Sequence, residues 1–106
     1  PMDKADYDKF SALSNFMYDT FDVNFGNRIM NQIQVFVPIY VACGGTAYKA
    51  LDLMFARKVL RKLDGRFEEN LKQNLTKLEK YVIEQFGQTE FSSTLSTLAK
   101  MKRKLS

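Results

Sequence analysis

The segment Arg66–Phe86, RFEENLKQNLTKLEKYVIEQF, predicts the class of fold most directly. Its apolar residues recur at steps of four, four, three and four, which is the spacing of one face of an α-helix. These residues are Phe67, Leu71, Leu75, Leu78 and Val82. Gly87 follows them, and glycine commonly ends a helix because it tolerates a left-handed backbone. We therefore predict a helix over residues 66–86.

The residues after Gly87 predict a fifth helix that begins at Thr89 or Ser92. Its inward positions would be Phe91, Leu95, Leu98 and Met101, again at helical spacing. Because so short a connection joins the two helices, we expect them to form an antiparallel hairpin.

The residues before Arg66 predict a third helix over 47–63, with Thr46 as its N-cap and Asp64-Gly65 at its end. A second helix is expected from Asn24 to Gly44-Gly45. Pro38 lies inside this second helix and lacks an N–H group, so a kink or an early stop is expected there.

The N-terminal segment predicts a first helix over 3–18, which Asp19 to Asp22 would break. The chain shows no alternation with a period of two and no Asn-Gly hairpin turn, so we predict no strand. The expected fold is a single all-α domain, a small bundle of about five helices, within residues 1–106.

Composition limits the classes of function that this chain can have. Cys43 is its single cysteine and histidine is absent, so an internal disulfide and a zinc site of the usual kind are excluded. We expect no metal site, and Cys43 is expected to be a small buried residue. Without histidine, a Ser-His or Cys-His pair cannot form, and no GxxxxGK[ST] loop is present. We therefore predict that this chain alone is not an enzyme.

The longest apolar run, near Val35–Cys43, has about nine residues and is too short to span a bilayer. No signal peptide is recognisable, so we expect a cytoplasmic protein without a membrane partner. The net charge is +4, and residues 57–106 carry most of the basic side chains.

Five basic residues cluster in the second half of the chain, namely Arg57, Lys58, Arg61, Lys62 and Arg66. They indicate either a contact to nucleic acid, a contact to another subunit, or a solvated surface. On an uninterrupted helix Lys58 and Lys62 would fall near the apolar side and extend over the edge of the core.

The segment Phe25–Arg28 is the most informative polar turn. Arg28 falls in the first turn of the second helix, and the apolar residues that follow anchor this helix in the core. Its planar guanidinium, with five donors, could point toward the phosphate of a partner. The alternative is that Arg28 pairs with a nearby acid such as Asp22.

Two stretches, FGNRIMNQIQVFV at 25–37 and ALDLMFARKVLRKLDG at 50–65, together resemble a known family. They are similar to the C-terminal helical lid of AAA+ ATPases, and most of all to the lid of McrB-like restriction and repair NTPases. The matching positions are Phe25, Gly26, Arg28, Ile29, Gln32, Ile33, Ala50, Leu51, Asp52, Lys58, Val59, Leu60, Lys62, Leu63 and Gly65. Arg61 stands where that pattern has proline, so we expect the third helix to run on smoothly.

The resemblance implies that Arg28 is a sensor 2 residue, with Gly26 and Asn27 beside it at the nucleotide. It implies a P-loop domain upstream of Pro1-Met2, ATP or GTP with Mg²⁺ in the parent protein, and a ring of subunits that restricts or repairs DNA. By this interpretation the chain is a fragment. Two alternatives remain open: a separate basic domain that binds nucleic acid, and a helical oligomerisation or adaptor module.

Overall fold

The computed structural model describes residues 2–106, and this part of the chain is helical without a strand. The five α-helices are α1 Lys4–Phe21, α2 Gly26–Ala42, α3 Ala47–Met54, α4 Leu71–Phe86 and α5 Ser92–Lys104. The chain continues from α3 through a π-helical turn, Phe55–Val59, and a 3₁₀ turn, Leu60–Leu63. The prediction of a small all-α bundle is confirmed.

Helix α1 extends beyond the predicted end at residue 18. Phe21 is buried in the core, and this burial holds the last turn in place despite the polar residues before it. Asp22 then ends the helix in the left-handed conformation, with φ of 58°. Phe25, three residues later, is also buried, and its ring centroid lies 5.5 Å from that of Phe10 in α1. The short connection to α2 is therefore fixed against the core at both ends.

Helix α2 passes through Pro38 and ends at Ala42, so of the two expected outcomes, a kink or an early stop, the early stop does not occur. Val37 before the proline is buried and Tyr40 after it packs against the core, which holds the helix on both sides of the missing N–H. The chain then turns back closely at Gly45, where a Cβ atom would overlap the ring of Tyr40. Thr46 caps α3 as predicted, since its Oγ1 accepts a hydrogen bond of 3.1 Å from the amide of Lys49.

The third predicted helix does not run on smoothly. At about 100° per residue, Leu60 would lie on the side opposite Leu51 in an uninterrupted α-helix. Both leucines are buried, because the π-helical turn and the 3₁₀ turn shift the register between them. Lys58 and Lys62 are both exposed, and Lys58 lies beside Met54 and Phe36 at the edge of the core.

Helices α4 and α5 form the predicted antiparallel hairpin. The rings of Phe86 and Phe91 stack at 4.3 Å beside the turn, and Lys102 contacts Glu79 at 2.7 Å farther along. Helix α4 begins at Leu71 rather than Arg66, and Phe67 is 77% exposed, so both of those assignments were wrong. Leu71 is the first residue of the predicted stripe that reaches the core, and the segment before it has no packing that would hold it helical.

Candidate functional site

Arg28 is exposed at the first turn of α2, between two residues that anchor it. Phe25 is 3% exposed and Ile29 is 9% exposed, so the backbone on both sides of Arg28 is packed into the bundle. Within residues 2–106 the guanidinium forms neither an ion pair nor a hydrogen bond to a side chain, and the alternative pairing with Asp22 is not observed. Arg28 therefore extends from an anchored backbone, and its cation is available to an external anion.

Gly26 and Asn27, the other predicted nucleotide-binding residues, are also exposed beside Arg28. Gly26 has φ of 73°, and nothing lies within 4 Å of the position that its Cβ would occupy. Asn24 Oδ1 accepts a hydrogen bond of 3.0 Å from the amide of Gly26, which fixes the entry into the helix. The open space beside this backbone would let a ligand or another domain approach closely.

The side of α2 that carries Arg28 also carries exposed apolar residues. Arg28, Gln32, Val35 and Ile39 follow one another at steps of four, three and four, so they lie along one face of the helix. Val35 is 65% exposed and Ile39 is 58% exposed. We call the stripe of Arg28, Gln32, Val35 and Ile39 the α2 face.

A groove of about 520 Å³ runs along the α2 face. Its lining is mostly apolar and consists of Asn31, Gln32, Val35, Phe36, Ile39, Met54 and Lys58. Exposed apolar grooves on small domains commonly mark surfaces that contact another molecule or another domain. The α2 face thus has an arginine suited to donate hydrogen bonds to phosphate at one end and an apolar contact surface along the rest.

The five predicted basic residues do not form one site. Arg57, Lys58 and Arg61 line a single surface depression, and Lys62 is exposed near them in sequence. Arg66, by contrast, binds the carboxylate of Glu68 through two of its nitrogens, at 2.7 and 3.2 Å. The hydrogen bond from Arg66 lowers the pKa of Glu68 below its ordinary value. The charge of Arg66 is therefore already neutralised, and Arg66 does not belong to the same site as Arg57, Lys58 and Arg61.

Sequence reasoning missed the role of Asp52, which entered only as a matching position in the resemblance. Its side chain is fully buried. One oxygen accepts a hydrogen bond of 2.7 Å from the amide of Thr94, and the other accepts from the amide of Ser93 at 3.1 Å and from Lys49 Nζ at 2.7 Å. Asp52 therefore caps the N-terminus of α5 from α3, which makes it a structural residue.

Lys49 reaches the same junction from the surface. Its Nζ donates to Ser92 Oγ at 2.9 Å as well as to Asp52, so the cation lies between α3 and the first turn of α5. Thr46 adds a hydrogen bond of 2.7 Å to Glu90. The ends of the two helices are thereby joined by charged and hydroxyl groups, and a buried carboxylate with this many partners would not serve as a general acid or base.

Cys43, possible metal ligands and possible membrane-spanning helices are the remaining features to place in residues 2–106. Cys43 is exposed at the end of α2, so the prediction of a buried cysteine was wrong; the last turn of the helix projects beyond the core there. Within residues 2–106, no group of three or more His, Cys, Asp or Glu side chains could hold a metal ion. None of the helices in this range combines the length and the apolar character that crossing a membrane requires.

Comparison with known proteins gives a family but no function. The model of a family described as a domain of unknown function, DUF8727, matches residues 2–106. No curated protein and no solved structure matches the chain. The family match covers nearly the whole sequence, and the features of the chain that bear on function are the α2 face and the basic residues. On this evidence the chain belongs to the DUF8727 family.

Proposed function

We propose that this domain is the helical lid of a larger P-loop NTPase and that Arg28 contacts the phosphates of a nucleotide bound by a separate domain. The observation that carries the proposal is the α2 face. An exposed arginine without an acidic partner in the described chain heads a row of exposed apolar residues on one anchored helix. An arginine in this position can make a bidentate, charge-assisted contact to phosphate.

The anchoring of Arg28 supports a mechanical role. Phe25 and Ile29 pack into the same core as α1 and α3, so a force on the guanidinium acts on the bundle as one body. A contact that exists with a nucleoside triphosphate and is lost after hydrolysis would then bias the angle of the whole lid. Gly26 and Asn27 would lie beside the nucleotide, where the open backbone allows close approach.

The apolar part of the α2 face supports contact with another domain. Val35 and Ile39 would lie against the P-loop domain of the same chain or against the next subunit of a ring. We propose ATP or GTP with Mg²⁺ as the nucleotide in the parent protein and, following the resemblance to McrB-like lids, DNA as the substrate of the motor. A cytoplasmic location fits such a motor, because the nucleotide is supplied there.

The test requires the reading frame that encodes this chain together with its upstream sequence. The proposal expects a GxxxxGK[ST] motif within roughly two hundred residues before Pro1, the size of one P-loop domain. A reading frame that encodes this chain without a P-loop domain would remove the proposal.

In the full-length protein, Arg28→Ala should lower NTP hydrolysis at least about tenfold, since arginine contacts to a transferring phosphoryl group contribute factors of that size or larger. Arg28→Lys should recover little, because lysine cannot form the bidentate contact. The matched control is Arg103→Ala, an exposed arginine at the far end of α5. Equal hydrolysis and equal nucleotide affinity for Arg28→Ala and Arg103→Ala would reject the role of Arg28.

A further inference from the structure

We propose that Arg57, Lys58 and Arg61 form a site that binds the phosphate backbone of nucleic acid. These three side chains, with Ala56, line one surface depression of about 380 Å³. The site uses none of the residues assigned to nucleotide contact, although Lys58 also lines the groove beside the α2 face. Lys62 is exposed one residue after Arg61 and extends the positive surface.

The π-helical turn explains why these cations share one surface. In an uninterrupted helix Lys58 would follow Leu51 and Phe55 at steps of four and three and would point toward the core. The turn over Phe55–Val59 instead buries Val59, which is 0% exposed, and leaves Lys58 in solvent. π-helical turns within helices are frequent at functional sites. Here the turn converts a position beside the core into part of a cationic surface.

The charges of this depression are not compensated in the described part of the molecule. The four ion pairs found over residues 2–106 use other cations, namely Lys4, Lys49, Arg66 and Lys102. Three like charges around one depression repel one another, and this repulsion is relieved when an anion binds. Lys4, Lys49, Arg66 and Lys102 are thus paired, whereas Arg57, Lys58 and Arg61 have no carboxylate within ion-pair distance in residues 2–106.

The lining of the depression favours phosphate groups as the ligand. Two of the three cations are arginines, whose planar donors match phosphate oxygens bidentately. No aromatic side chain lines it, so bases would find no stacking surface and the contacts would be to the backbone. Apart from Ala56 the depression also offers no apolar anchor, which a protein partner would use at the centre of an interface. We infer binding that is independent of sequence.

The experiment measures fluorescence anisotropy of a labelled DNA duplex of about 20 base pairs, titrated with the 106-residue chain at several salt concentrations. Three phosphate contacts predict that affinity falls about 40-fold between about 50 and 200 mM salt, a slope close to −3. The variant Arg57→Gln/Lys58→Gln/Arg61→Gln should lose at least about tenfold in affinity at the lowest salt and most of that slope.

The matched control is Lys100→Gln/Arg103→Gln/Lys104→Gln, which removes the same charge from exposed positions near the end of α5. It should change affinity less than about threefold. Circular dichroism and thermal unfolding establish that both variants keep the fold, and all six positions are exposed, so neither set removes core packing.

Three results would overturn the proposal. The first is no binding by the unmodified chain at about 50 mM salt, where phosphate contacts are strong. The second is an equal loss of affinity in the two triple variants, which would make net charge the cause. The third is displacement of the DNA by poly-glutamate at an equal concentration of charge, which would assign the site to an acidic protein surface. None of these outcomes bears on Arg28.

Discussion

Two parts of the molecule differ in whether their polar side chains have partners. At the α3–α5 junction, which comprises Thr46, Lys49, Asp52, Glu90 and the first turn of α5, each of these four side chains has a partner within 3.1 Å. On the α2 face, Arg28 has no ionic partner in the described chain and Val35 and Ile39 are exposed. Both regions lie on helices of the same bundle.

The difference separates residues that hold the fold from residues that are free to bind. Buried polar groups need partners because an unpaired one is strongly destabilising, so the junction is the part of the fold that tolerates least change. Exposed apolar and cationic groups contribute little to folding, so their presence on one face needs another explanation. We therefore expect mutations at the junction to change stability and mutations on the α2 face to change binding.

The largest expected effect is at Asp52. Asp52→Ala should lower the free energy of unfolding by about 3 kcal/mol, because it leaves the amides of Ser93 and Thr94 and the ammonium group of Lys49 without their acceptor. Urea unfolding measures this change. Asp19→Ala, an exposed position on α1, should shift stability by less than about 0.5 kcal/mol. A loss below about 1 kcal/mol for Asp52→Ala would contradict the view that the α3–α5 junction stabilises the fold.

The second effect compares two valines on α2. Val37 is 2% exposed and Val35 is 65% exposed, so the same change removes core packing at one site and surface at the other. Val37→Ala should cost about 2 kcal/mol of stability, and Val35→Ala less than about 0.5 kcal/mol. Thermal and urea unfolding of the two variants measure the difference. Equal losses would mean that the α2 face is already packed in the isolated chain.

The third effect is at the cap of α3. Thr46→Ala removes the acceptor for the amide of Lys49 and the donor to Glu90, and should lower stability by about 1 kcal/mol. Thr46→Ser, which keeps the hydroxyl, should retain most of that stability. Thr89→Ala, at an exposed position in the turn before α5, serves as the control in the same unfolding assay. A loss in Thr46→Ser as large as that in Thr46→Ala would assign the effect to the methyl group.

The smallest expected effect is a change in stability whose sign differs between two pairs of cations. Arg57→Gln/Arg61→Gln should raise stability by a few tenths of a kcal/mol, since it relieves repulsion between like charges. Arg103→Gln/Lys104→Gln should lower it by a similar amount, because cations in the last turn of α5 interact favourably with the helix dipole. Both changes should shrink between about 0.01 M and 1 M salt. The same sign for the two pairs would contradict local repulsion at the π-helical turn.

Much of the fold follows from helical periodicity. The stripe of α4, the cap at Thr46 and the stop at Gly87 rest on residues close to one another in sequence, and local patterns report such features well. The π-helical turn was missed although the sequence carries one sign of it, since Leu60 would face away from Leu51 in an uninterrupted α-helix. The turn and the helix before it both pack against α5, and a local pattern does not contain that contact.

The candidate site was predicted in part for the same reason. The exposure of Arg28 follows from its place in a polar first turn, which the sequence displays. The division of the five basic residues does not, since it depends on Glu68 binding Arg66 and on the register shift that exposes Lys58. The cap at Asp52 was invisible because its partners lie 41 and 42 residues away.

The separation of Asp52 from Ser93 and Thr94 along the chain also affects the order in which the helices form during folding. The hairpin of α4 and α5 comes from contiguous residues and can form early, yet the residue before α5 offers no side-chain cap of its own. We expect the first turn of α5 to remain frayed until α3 docks and delivers Asp52. The amides of Ser93 and Thr94 would then exchange with solvent mainly through global unfolding, which binds the two halves of the sequence into one cooperative unit.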